Sequence, residues 1–77
     1  MSTVNERVRA ILAHYAGDRE LSEDADLREA GLDSVDVLEF FAELESSFGI
    51  RFAEGDLDLA NLNTIGAITR LVEDRLV

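Results

Sequence analysis

Residues 34–48 read SVDVLEFFAELESSF, and this stretch decides the fold. Successive residues of an α-helix are turned by about 100°, so Val37, Phe41, Leu44 and Phe48 fall on one narrow stripe, with Phe40 at its edge. Such a stripe predicts a helix that buries one face in a core. The same stretch carries a second apolar set, Val35, Leu38 and Ala42, displaced about 80–160° around the helix. Asp36, Glu39 and Glu43 flank that set on one side and Glu45 on the other. A helix that only had to bury one face has no use for the second set. It is expected to meet a partner.

Upstream, Thr3-Val4-Asn5-Glu6 has the spacing of a capping box, a Thr followed three residues later by Glu. Val4, Val8, Ile11, Leu12 and Tyr15 then recur at helical intervals, and Gly17 supplies a stop. His14 lies off that stripe and is expected to be a partly exposed helix residue. Residues 18–33 have no sustained period. Leu21, Leu27 and Leu32 predict a long ordered loop pinned to the core, and Gly31 a turn before the next helix.

Downstream, Gly49 ends the central helix, and Ile50 and Phe52 add two apolar anchors. A short helical turn is expected over 56–61. Thr64 is placed to cap a last helix whose Ile65, Ile68, Val72 and Leu76 share a face, with Leu71 beside them. No segment alternates with period two for long enough to argue a strand. The prediction is an all-α domain over residues 1–77: a small four-helix bundle of three main helices and one short third helix.

Charge is the outlier of the composition. Seventeen acids stand against seven bases in 77 residues, a formal net charge of −10, and every base is Arg. Fourteen of the acids and only Arg19, Arg28 and Arg51 lie within 18–58, so the anionic field belongs to the central loop and helix. Such a field repels phosphate backbones and anionic membranes and attracts basic proteins. No apolar run approaches the ~20 residues of a membrane span. The first residues lack a basic-then-apolar signal pattern, so the chain is expected in the cytoplasm, and it is expected to be a monomer.

Templates for catalysis and metal binding fail. The chain has no Cys and a single His, so no thiolate nucleophile, disulfide or Cys- or His-based zinc site is available. Asp24-x-Asp26 and Asp56-x-Asp58 open like calcium loops. Their sixth positions are Glu29 and Asn61 rather than Gly, and their twelfth Val35 and Ala67 rather than Glu. No catalytic residue and no metal ligand is expected.

What remains is Gly31-Leu32-Asp33-Ser34-Val35, where the acidic loop enters the two-striped helix. Asp33 or Ser34 is suited to cap the helix. A Ser hydroxyl at a helix start is also well placed to carry a phosphate ester, because free N–H groups and the helix dipole favour an anion there.

Asp33-Ser34-Val35, followed at the expected spacing by Glu39, Leu44-Glu45 and Phe48-Gly49-Ile50, resembles the acyl carrier protein family over nearly the whole chain. The resemblance implies a four-helix bundle and a 4′-phosphopantetheine arm, donated by coenzyme A and held by Ser34 through a phosphodiester. Asp33 would position the motif for a phosphopantetheinyl transferase. Val35, Asp36, Leu38, Glu39, Ala42 and Glu45 would meet basic-surfaced partners such as acyl or aminoacyl ligases and ketosynthases. Val37, Phe40, Phe41 and Leu44 would line the interior near where an acyl chain is sheltered.

Three features depart from the family pattern: Val35 where Leu is usual, Ala53 where Pro is frequent, and the absence of Lys, so that lysine contacts near the N-terminus of relatives could be made here only by Arg. With no thiol of its own, the chain would tether a thioester on the arm rather than catalyse. Acyl carriage for fatty-acid or polyketide-type synthesis is the expected function. The alternatives are an aminoacyl, peptidyl or D-alanyl carrier, and an acidic interaction domain without a prosthetic group. Peptidyl carriers more often show Gly-Gly-His-Ser before the attachment helix, whereas this chain has Gly-Leu-Asp-Ser.

Overall fold

The computed structural model describes residues 3–17, 21–53 and 63–76. Three α-helices stand in them: α1 over Val4–Ala16, α2 over Ser34–Phe48 and α3 over Ile65–Leu76. The expected short helix over 56–61 lies outside the described residues. None of the three helices is long and apolar enough to cross a membrane.

Each helix starts where a side chain takes over orphan N–H groups. At α1 the Thr3 hydroxyl accepts the Glu6 N–H at 3.1 Å, and Glu6 reaches back to the Thr3 N–H, closing the capping box. Gly17 stops this helix at φ 78°, a conformation that favours glycine. At α3, Thr64 Oγ1 accepts the Ala67 N–H at 3.2 Å. Helix α2 has no base in its own last turn; Arg7 of α1 supplies one. Its guanidinium donates to the Ser47 carbonyl at 3.0 Å and lies 4.1 Å over the Phe48 ring.

The core gathers Val8 and Leu12 of α1, five residues of α2, and Ile65, Ile68 and Val72 of α3. Phe40 sits deeper than its place at the edge of the wheel suggests: it is wholly buried. Tyr15 meets its ring edge-on at 6.2 Å and Phe41 stacks on it at 5.8 Å. The loop before α2 is pinned as expected by Leu27 and Leu32, with Leu21 half-buried, and two alanines, Ala25 and Ala30, are buried as well.

Backbone bonds strap this loop to the start of α3. Leu27 N–H donates to the Asn63 carbonyl at 2.8 Å, and Gly66 N–H to the Glu23 carbonyl at 2.9 Å. Any side chain at Gly66 would place its Cβ 3.3 Å from that carbonyl. From the other side Arg9 donates to Glu23 at 2.6 Å and to the Leu21 carbonyl, while Asn5 bridges Glu23 and Thr69. The Arg9 hydrogen bond holds the Glu23 carboxyl below the usual carboxylate range.

The two faces of α2 predict opposite responses to truncation. Phe40→Ala is expected to cost about 3–5 kcal/mol, a large share of the roughly 5–15 kcal/mol of a whole domain. Leu38→Ala, on the same helix but 63% exposed, should stay within about 0.5 kcal/mol of the parent. Urea denaturation followed by circular dichroism measures both, and equal losses would contradict the two-face assignment.

Candidate functional site

The loop delivers the chain to α2 through Gly31, at φ 92°, and the buried Leu32. Asp33, in extended conformation, is the cap rather than Ser34. Its carboxylate accepts the Asp36 N–H at 2.8 Å, and the Asp36 carboxylate accepts the Asp33 N–H at 3.4 Å. The Asp33 carbonyl takes the Val37 N–H at 3.0 Å. Ser34 therefore occupies the first turn with its hydroxyl exposed and spared from capping. Among the described residues neither that hydroxyl nor the N–H groups of Ser34 and Val35 have a hydrogen-bond partner.

These features suit a phosphodiester. An ester oxygen at Ser34 would be unencumbered, and two unspent N–H groups at the positive end of α2 would lie beside it. The neighbouring carboxylates of Asp33 and Asp36 are turned to backbone N–H groups.

From Ser34 the second apolar set runs along the water-facing side of α2. Val35 is 60% and Leu38 63% exposed, and Ala42 is exposed between them and the helix end. The acids around this strip differ in what they do. Glu39 is exposed and makes no hydrogen bond or ion pair among the described residues. Asp36 closes the capping box. Glu45 accepts the Phe52 N–H at 2.8 Å and so fastens the segment that follows the helix. Glu43 accepts the Tyr15 hydroxyl at 2.8 Å, with His14 Nδ1 3.8 Å from its other oxygen.

Val37, Phe40, Phe41 and Leu44, the four residues expected to face the interior, are all brought together there, between 0 and 5% exposed. Sequence patterning did not find Tyr15 and Phe52 as their neighbours. Both contacts join separate elements, and no local spacing signals them.

The chain matches the family described as the phosphopantetheine attachment site over residues 6–72. It is 35% identical over 72 residues to an acyl carrier protein of Saccharopolyspora erythraea, covering 90% of this chain and 74% of that protein. It is 30% identical over 73 residues to an acyl carrier protein of Thermotoga maritima, covering 91% of this chain and 88% of that one. The fold is similar to the crystal structure of an acyl carrier protein from Thermotoga maritima. The TM-score is 0.75 at 18% identity, over 96% of this chain and 92% of that one.

Tyr15, the one tyrosine of a chain without Trp, reports on the contact between α1 and α2. Its hydrogen bond to Glu43, then partial burial and the charges of Glu43, Glu39 and Asp36, push its pKa up to about 12 from 10.0. The folded state thus holds the phenol proton more tightly than the unfolded chain does. This contribution to stability is fully present below pH 10 and is lost as pH rises through about 12. Tyrosinate absorbance should titrate near pH 12, and Glu43→Gln should move the midpoint back toward 10. A midpoint near 10 in the parent protein would contradict the contact.

Proposed function

The chain belongs to the phosphopantetheine-attachment family of acyl carrier proteins, and on that premise we propose that Ser34 carries the arm and that the outer strip of α2 is its docking face. The observation that carries the assignment of Ser34 is the reciprocal bond between Asp33 and Asp36, which caps α2 without spending the Ser34 hydroxyl. Members of this family bear a covalently attached 4′-phosphopantetheine, whose terminal thiol holds acyl groups as thioesters. Ser34 would hold its phosphate, with the Ser34 and Val35 N–H groups beside it. When the arm is installed from coenzyme A, the Ser34 oxygen bonds to phosphorus, the nucleotide phosphate leaves with the electrons of the broken bond, and the hydroxyl proton passes to the transferase.

This chain's part is to hold and to present. It offers no thiol of its own, so it raises the local concentration of a tethered substrate and leaves catalysis to its partners. Those partners are a phosphopantetheinyl transferase and the basic-surfaced enzymes that load and use the cargo. Charge complementarity supports this choice. Val35, Leu38 and Ala42 give a small apolar contact, and Glu39 gives an unspent charge beside it. Asp36 and Glu45, although tied within the fold, add to the same field. Such a surface favours fast, salt-sensitive encounters over tight binding. Carriage takes place in the cytoplasm, on acyl rather than peptidyl groups, in keeping with Leu32-Asp33 ahead of the serine.

Incubation with coenzyme A and a phosphopantetheinyl transferase is expected to raise the intact mass by one phosphopantetheinyl unit. Ser34→Ala should abolish the increase. An increase that survives this substitution would place the arm elsewhere.

Glu39→Lys tests the docking face without disturbing a hydrogen bond. Transferase association is expected to slow by about three- to tenfold at low salt and to lose part of its salt dependence, with thermal unfolding unchanged. Stopped-flow rates equal to those of the parent protein across a salt series would remove Glu39 from that face.

A further inference from the structure

Four aromatic rings cross the interior in an unbroken run. Tyr15 of α1 meets Phe40 edge-on at 6.2 Å, Phe40 stacks on Phe41 at 5.8 Å, and Phe41 meets Phe52 edge-on at 5.8 Å. The two central rings are 0 and 3% exposed. Both ends of the run are fastened by carboxylates of α2 itself. Glu43 accepts the Tyr15 hydroxyl, and Glu45 accepts the Phe52 N–H, each at 2.8 Å. Residues two apart on a helix point to roughly opposite sides, about 200° apart, so the two carboxylates grip the run from either flank of α2.

This arrangement bears on cargo. A protein interior is close-packed, and a linear alkyl chain enters it only where side chains give way. Leu and Met yield by rotating about several bonds. An aromatic ring is planar and rigid, and it moves as a unit. To admit an alkyl chain beside Phe40 and Phe41, this core would have to part stacked rings, with Tyr15 held by its hydroxyl to Glu43 and the backbone at Phe52 held to Glu45.

We propose that the clamped aromatic run closes the interior of this carrier to long alkyl chains, so that its cargo is a short or polar acyl group that stays outside with its thioester. The proposal rests on the assignment of the arm to Ser34, and its test separates the two. A phosphopantetheinyl transferase is supplied with acetyl-, hexanoyl- or decanoyl-coenzyme A, and intact mass reports whether each acyl arm is attached. No attachment, or attachment that persists in Ser34→Ala, overturns the arm's assignment and the cargo proposal with it.

With the arms attached, each thioester is cleaved by neutral hydroxylamine and its rate divided by that of the same acyl-pantetheine free in solution. The expected ratio stays within about twofold for all three chains, and their thermal midpoints coincide. A decanoyl ratio lower than the acetyl ratio by about tenfold, equivalent to 1.4 kcal/mol of sheltering, would overturn the proposal. Phe41→Leu, which swaps a ring for a flexible side chain, and Tyr15→Phe, which keeps the ring and frees it from Glu43, should each lower the decanoyl ratio. If both variants fold and neither does so, the rings are not what closes the core and the proposal fails.

Discussion

The contact on which this domain turns is the burial of Phe40 between Tyr15 and Phe41. It joins α1 to α2, and it lets α2 commit one whole face inward, so that the other remains a surface for use. Everything functional here is arranged around a helix held from one side only. Its N-terminus is capped by a carboxylate pair, its C-terminus by Arg7 of another helix, and its flanks by Glu43 and Glu45 reaching to neighbouring segments. The exposed strip of Val35, Leu38 and Ala42 can stay apolar because none of these restraints draws on it.

The acids of the central region consequently do two kinds of work. Glu23, Asp33, Asp36, Glu43 and Glu45 each accept a defined hydrogen bond. Their charges still sum into the field around Ser34. A carboxylate that is hydrogen-bonded keeps its charge, so structural use and long-range attraction are not alternatives. Glu39 has no such bond, and it lies on the face where a partner is proposed to sit.

Much of this was legible from local spacing. Thr3 and Glu6 three residues apart announced the start of α1, and Val37, Phe41, Leu44 and Phe48 announced the buried face of α2, because both patterns depend only on the geometry of one helix. Asp33-Ser34-Val35 marked the candidate site by its place at the start of α2 together with its resemblance to the family's motif. The capping partner at Asp36 was harder to see, since Glu or Gln usually fills that place and Asp serves with a shorter reach. Spacing alone put Phe40 at the edge of the buried stripe because a helical wheel knows nothing of Tyr15 approaching from another element. The contacts of Glu43 with Tyr15 and of Glu45 with Phe52 were invisible for that same physical reason. So was the strapping of the loop to α3, which is made by backbone groups that carry no sequence signal.

The bridge from Asn5 through Glu23 to Thr69 has a consequence for how the molecule comes into being. Asn5 and Thr69 are 64 residues apart, yet one amide group ties them both to the loop between. Along the chain, α1 and α2 both precede Thr69. The closing of that bridge waits for the final helix, after the costly long-range loop closure. A chain made only as far as the end of α2 already holds Ser34 and the local cap at Asp33 and Asp36, before that bridge can form.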